Sequence, residues 1–238
     1  MNTKLTNYPE EEGDERAVEI LKGLAKAVVG SSVPLGSFIT EALELFYKRP
    51  IEKRRENWME ELVIAFNELS KKVNEESVGK LSENEEFITI LHRATDIALK
   101  THAKEKRLLL RNAIVSAGLP TPPEIDKQIL FLRLIDELTV NQVLVLVLYR
   151  DPIGWFERRK KSYNKYTMAG RIEVLKQAYP ELARPDYVNE IVLTGIQSRG
   201  LVSGLSGTVS GDSVYGSSTS KIANEFLDFV KADSIDNL

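Results

Sequence analysis

Apolar residues recur every three or four positions along most of the chain, which is the spacing of one face of an α-helix. Such stripes occupy residues 15–29, 58–73, 87–98, 124–137 and 222–230. Polar and charged residues fill the positions between them. The pattern predicts an amphipathic helix in each of these segments and therefore a mainly helical protein.

One stretch, Leu138–Asp151, is apolar on nearly every side, since no charge lies between Asn141 and Arg150. Thr139 and Gln142 have the spacing of a capping box, which starts a helix. The proline that follows Asp151 ends it. Alternating valines leave a buried strand open as the alternative. We predict a short core helix, around which the rest of the chain packs.

The N-terminal part has a break of small residues at 30–37, between the stripe at 15–29 and a helical pattern at 38–47. Pro50 fits the first turn of a third helix that runs to Val73. The uncharged run Ala27–Thr40 is shorter than the roughly twenty residues that span a bilayer. The alternatives are a buried helical hairpin and a hairpin that inserts into a membrane.

A long helix is predicted after residue 82. Ser82 and Glu85 have capping-box spacing, and no proline or glycine follows until Gly118. The helix would contain about 35 residues and be roughly 50 Å long. The proline-rich segment Leu119–Pro123 is the best candidate for a linker.

The C-terminal part changes character after two helices predicted at Ile172–Tyr179 and Pro185–Arg199. Two short β-branched runs, Leu201–Leu205 and Thr208–Tyr215, are separated by glycines, which is typical of a β-hairpin. Ser217–Ser220 supplies caps for a last helix. The predicted organisation is an acidic flexible tail (1–14), a helical domain containing a hairpin and the long helix (15–120), and an α+β domain with one small β-hairpin (121–238).

Composition limits the possible chemistry. The absence of cysteine excludes disulfides and zinc-thiolate sites, and the polar, acidic first twenty residues lack the features of a secretion signal, so we expect a cytoplasmic protein. The net charge of −3 argues against a generally nucleic-acid-binding surface. His92 and His102 point about 80° apart on a helix, and His92 with Asp96 provides only two metal ligands. No catalytic motif is present, so we predict neither an enzyme, a cofactor nor a small-molecule substrate.

A basic segment follows the central helix. Between Arg150 and Arg171 there are seven Lys or Arg residues and two acids, with aromatic residues interleaved. Such a segment can attract phosphates, and its rings can stack on bases. The alternative is a solvated basic loop anchored by Trp155 and Phe156. The candidate nucleic-acid or anion contacts are Arg158, Arg159, Lys160, Lys161 and Lys165.

The apolar faces of the first helices are candidates for contact with a protein, a second subunit or a membrane surface. The candidate residues are Val33, Leu35, Phe38, Trp58 and Leu62.

From Leu138 onward the order of helices, glycine-capped turn Gly200–Val202, glycine-rich ribbon and last helix Ile222–Phe226 resembles a winged-helix domain. The resemblance implies a helix for the DNA major groove and a hairpin wing for the backbone. The presumed recognition helix, however, carries Asp186 and Glu190, and residues 200–220 contain no Lys or Arg. This departure favours protein contact over operator recognition.

The layout is also similar to that of poorly characterised prokaryotic helical proteins, some of them linked to abortive infection. The similarity rests on the hairpin Val33–Gly36, an Arg-rich helix start and Leu138–Gln142 before an apolar helix. It implies a bacterial or phage-defence setting and no catalytic residues. We predict a non-enzymatic interaction or assembly protein, with nucleic-acid binding or a membrane-active hairpin as alternatives.

Overall fold

A computed structural model describes residues 35–73, 80–182, 194–205 and 207–237, with only the backbone described for residues 35–50, 212, 236 and 237. The chain is mainly helical and contains one small two-stranded antiparallel sheet, which confirms the predicted fold class. It divides into two compact units, Met1–Asn57 and Trp58–Leu238. The predicted helix at 15–29, the hairpin apex at 30–34 and most of the helix at 185–199 lie outside the described residues.

The described part of the chain contains nine α-helices, two strands and four short 3₁₀ segments. The helices are α1 (Leu35–Lys72), α2 (Glu85–Lys100), α3 (Lys104–Ala117), α4 (Ile125–Glu137), α5 (Val140–Arg150), α6 (Pro152–Arg158), α7 (Ile172–Ala178), α8 (Thr194–Gln197) and α9 (Lys221–Phe229). The strands are β1 (Met168–Gly170) and β2 (Thr208–Ser210), and the 3₁₀ segments are Leu81–Glu83, Pro180–Leu182, Gly211–Tyr215 and Ala232–Asn237.

Helix α1 runs through Pro50 without interruption, so the prediction that Pro50 starts a new helix is wrong. A proline inside a helix removes one backbone hydrogen bond and strains the preceding turn. The sequence on both sides nevertheless has good helix formers, and the helix continues to Lys72.

The long helix predicted after residue 82 is two helices, α2 and α3, separated by residues 101–103. The break occurs where Thr101 adopts an extended backbone and its hydroxyl accepts a hydrogen bond from the Ala103 amide. The cap of helix α2 lies two residues after the predicted one, because Asn84 rather than Ser82 caps the helix by accepting from the Phe87 amide. The break allows α2 and α3 to pack against each other.

Helix α5 confirms the predicted core helix and excludes the strand alternative. Thr139 and Gln142 form the reciprocal capping box, and the residues from Val145 to Tyr149 are buried. The helix contacts α6, α7, α8, α9 and the 3₁₀ segment Ala232–Asn237. It is therefore the centre of the C-terminal packing, as its composition suggested.

The sheet pairs β2 with β1, with Ala169 opposite Val209. The sequence pattern predicted that the two runs at 201–205 and 208–215 pair with each other as a hairpin. Instead, Val202 makes an isolated antiparallel bridge to Thr219, and the chain after β2 turns into the 3₁₀ segment Gly211–Tyr215. The left-handed backbone at Gly207 and Gly211 places these turns on either side of β2.

The hydrophobic core of the larger unit is continuous from Trp58 to Ile235. Helix α3 contacts α4 and α9, which come from the other side of the linker predicted near residue 120. Two buried polar side chains of α3 bind the end of α9: Asn112 donates to the Val230 carbonyl at 3.0 Å, and Ser116 donates to the Phe229 carbonyl at 2.7 Å. The boundary at residue 120 stays a prediction, although helices from both sides of it share this core.

Replacing Asn112 with alanine is expected to lower the free energy of unfolding by about 1–3 kcal/mol, because the Val230 carbonyl and the Ser234 hydroxyl lose a buried donor. Urea denaturation followed by circular dichroism measures the change. The exposed Asn67 provides the control, since Asn67→Ala should shift stability by less than about 0.5 kcal/mol. Equal effects of the two substitutions would contradict the assigned role of Asn112.

Candidate functional site

The basic segment, Arg158–Lys165, begins at the last residue of α6 and continues to the approach to β1. Asp151 caps α6 by accepting from the Gly154 amide, and it also forms an ion pair with Arg158 at 3.1 Å. The charge of Arg158 is therefore partly compensated within the chain. Both side chains are about half exposed, so this ion pair contributes little to stability.

Two other cations of the segment pack on one aromatic ring. The Arg159 guanidinium lies 4.0 Å from the centroid of the Trp155 ring, and the Lys161 ammonium lies 5.2 Å from it. Lys161 also donates to the Ala178 carbonyl at 3.4 Å. These contacts hold the segment against α6 and α7 through cation–π attraction.

The aromatic residues of this region form a packed cluster. Trp155 and Phe156 are buried, and their rings contact each other edge to face at 5.1 Å between centroids. Tyr163, Tyr179 and Tyr215 complete the contacts around them. The two central rings are consequently unavailable for stacking on nucleic-acid bases, and they anchor the segment, as the alternative in the sequence analysis proposed.

Gln177 on α7 fixes the far end of the basic segment. Its amide nitrogen donates to the hydroxyls of Tyr166 and Tyr215 at 2.9 and 3.1 Å, and its oxygen accepts from the Asn164 amide at 2.8 Å. The Tyr215 hydroxyl in turn donates to the Asn164 carbonyl at 2.6 Å. Burial raises the pKa of Tyr215, so this donor stays protonated at neutral pH. Sequence analysis missed Gln177, because a single polar residue on a short helix gives no periodic signal.

The remaining two predicted contacts, Lys160 and Lys165, have exposed side chains. Lys160 has a left-handed backbone with φ of 52° and lies in the turn after α6. The basic segment thus contains three exposed lysines, Lys160, Lys161 and Lys165, on a backbone that packing and hydrogen bonds hold in place.

The predicted contact residues of the first helices do not share one exposed surface among the described residues. Val33 lies outside the described residues, and only the backbone is described for Leu35 and Phe38. Trp58 is 1% exposed, and Leu62 packs against the core. The stripe of these last two residues packs inside the same chain, and their contact with a protein or membrane stays a prediction. The Trp58 indole also donates to the Thr95 hydroxyl at 3.0 Å.

A different set of α1 residues is exposed. Met59, Val63 and Ile64 are 52%, 58% and 41% exposed and turn away from the core side of the helix. They are three of the seven large hydrophobic residues that are exposed in the described ranges. We call these three residues the outer face of α1. Met59 and Val63 have the i, i+4 spacing of helix neighbours, but the surrounding glutamates hid this pair from the sequence analysis.

Neither a metal-binding group nor a membrane-spanning helix is found in the part of the chain that the structure describes. His92 and His102 are exposed on α2 and on the residues that follow it, and the described residues contain no group of three side chains able to hold a metal ion. None of the helices in the described ranges combines the length and apolar character that a membrane span requires.

Comparison of the chain with known protein families, curated proteins and solved structures finds no match.

Proposed function

We propose that this protein is a non-enzymatic interaction and assembly protein, and that the outer face of α1 contacts the same face of a second copy. The observation that carries the proposal is the exposure of Met59, Val63 and Ile64 within two turns of one helix, on the side away from the core. An isolated exposed apolar residue needs no explanation, whereas a group of them marks an interaction surface.

The position of this surface suits a helix–helix contact. The opposite side of α1 is held in the core by Trp58, Ala65 and Leu69, which are almost fully buried. The outer face is therefore presented on a rigid element, and Met59 supplies an adaptable side chain. A two-fold dimer needs one such patch, since the same surface is used on both copies, and two-fold dimers are the commonest soluble assemblies.

Light scattering of the purified chain tests the proposal. The mass is expected to exceed the 26.8 kDa of one chain and to return to that value in the double variant Met59→Glu/Val63→Glu. Leu130→Glu is the control, because Leu130 is also exposed but lies on α4. A native chain with the mass of a monomer at every concentration would overturn the proposal.

A second candidate function is phosphate contact by the basic segment. Lys160 and Lys165 are exposed, and no acidic residue lies between Arg158 and Lys165. Because the rings of Trp155 and Phe156 are buried, this second function predicts contact with the phosphate backbone of a nucleic acid and no recognition of its bases. Such binding weakens steeply as the salt concentration rises. The double variant Lys160→Glu/Lys165→Glu should lose binding to labelled DNA and RNA in fluorescence anisotropy. Unchanged binding would exclude this segment.

The winged-helix-like arrangement of the C-terminal part and the bacterial or phage-defence setting stay predictions. The membrane-active hairpin also stays a prediction, since its apex lies outside the described residues. The sequence favours protein contact over DNA operator recognition. If the outer face of α1 binds a second copy, α1 makes that protein contact.

A further inference from the structure

A cluster of charged side chains joins the end of α1 to the residues after α9. The ammonium groups of Lys72 and Lys231 each lie 4.0 Å from the same Glu68 oxygen. Arg111 of α3 approaches the same cluster and forms an ion pair with Glu61 at 2.9 Å. Among the described residues, three cations therefore share two carboxylates.

Among the residues that the structure describes, the charges in this cluster do not balance. Arg111 is matched by Glu61, whereas Lys72 and Lys231 share Glu68. Removing the charge of Lys231 would leave two cations and two carboxylates. An uncharged Lys231 side chain is thus electrostatically favoured at this position.

The backbone of Lys231 is firmly placed. Its φ of 45° is left-handed, and its amide donates to the Asp228 carbonyl at 3.2 Å. The preceding residue, Val230, is bound by Asn112 of α3. The Lys231 side chain is still 39% exposed, so a small reagent can reach its amine.

We propose that the Lys231 amine is a site of acylation by small acyl phosphates. The unprotonated Nζ attacks the acyl carbon and forms the new nitrogen–carbon bond. The bond from that carbon to the phosphate oxygen breaks, and inorganic phosphate leaves with the electron pair. The proton released from nitrogen passes to water. The neighbouring cations Lys72 and Arg111 attract the anionic reagent, and the neutral amide product relieves their repulsion.

The protonation equilibrium of the amine supports this site. Burial, followed by the neighbouring Lys72, lowers the pKa of Lys231 to about 8. About a quarter of such an amine is unprotonated at pH 7.5, compared with about one in a thousand for an ordinary lysine. Glu68 acts in the opposite direction and raises the pKa, but its effect is smaller.

The test treats the full chain with acetyl phosphate at pH 7.5 and measures acetylation of each lysine by peptide mass spectrometry. Lys127 is the matched comparison, since it is 44% exposed and its hydrogen bond to Glu225 raises its pKa. Lys221, which is almost fully exposed, controls for access. Lys231 is expected to react at least about tenfold faster than either lysine. A rate equal to or below theirs overturns the proposal.

The variant Lys72→Met tests whether the charged cluster causes the reactivity of Lys231. Removing this neighbouring cation raises the pKa of Lys231, so its acetylation should slow severalfold while that of Lys127 is unchanged. Lys72 is itself partly exposed, so the variant is expected to fold. An unchanged ratio of Lys231 to Lys127 acetylation would show that the cluster does not activate Lys231.

Discussion

Replacing Trp58 with alanine is expected to lower the free energy of unfolding by about 3–5 kcal/mol. The indole is buried at 1% exposure, and its nitrogen donates to the Thr95 hydroxyl of α2. The substitution therefore creates a cavity and removes a hydrogen bond between two helices. Urea denaturation followed by circular dichroism measures the loss.

Met59→Ala is the matched control, because Met59 is the next residue of the same helix and is exposed. Its effect on the unfolding of the monomer should be below about 0.5 kcal/mol. A Trp58→Ala variant as stable as Met59→Ala would contradict the packing of the Trp58 indole in the core. Comparing the two variants thus distinguishes the core side of α1 from its outer face.

Phe131→Ala is expected to have a similarly large effect, again about 3–5 kcal/mol. The Phe131 ring of α4 lies 5.3 Å from the Phe229 ring and 5.9 Å from the Phe226 ring, both of α9. All three rings are buried, so truncation leaves a cavity between the helices before and after the central α5. The unfolding midpoint in urea reports the loss.

The adjacent Leu130 is exposed, and Leu130→Ala serves as the control with an expected effect well below that of Phe131→Ala. The Phe131→Ala variant should also unfold in one transition, because residues 58–238 share one core. Two separate transitions, with only the later one shifted, would instead support a domain boundary near residue 120.

Local signals in the sequence predicted the central helix and the last helix correctly. The Thr139–Gln142 capping box starts α5, and Ser220 caps α9 by accepting from the Ala223 amide. Both helices combine a cap with an apolar stripe, so each is specified by residues close together in the chain. The mainly helical class follows from the same periodicity.

Features that depend on distant residues were not predictable in the same way. β2 pairs with β1, some forty residues earlier, because a three-residue strand contains too little information to select its partner. The break between α2 and α3 occurs at Thr101, where no proline or glycine marks it. The apolar stripe of α1 showed that a partner was needed, but it did not show that the partner lay in the same chain.

The candidate surfaces were predicted in part. The basic segment was located from its charge and its interleaved aromatic residues, but the hydrogen bonds of Gln177 became visible only in the folded chain. The outer face of α1 was missed because exposed apolar residues among glutamates resemble an ordinary helix surface. Charge and periodicity describe a segment, whereas exposure depends on everything packed around it.

Oxidation of Met59 by peroxide, measured as a function of protein concentration, tests the assembly proposal most directly. Met168 is also exposed and belongs to a different element, β1, so it provides an internal reference in the same chain. Contact between two outer faces predicts that Met59 sulfoxide forms more slowly as the concentration rises, while Met168 sulfoxide forms at a constant rate. A constant ratio of the two rates at every concentration would contradict the proposed assembly through α1.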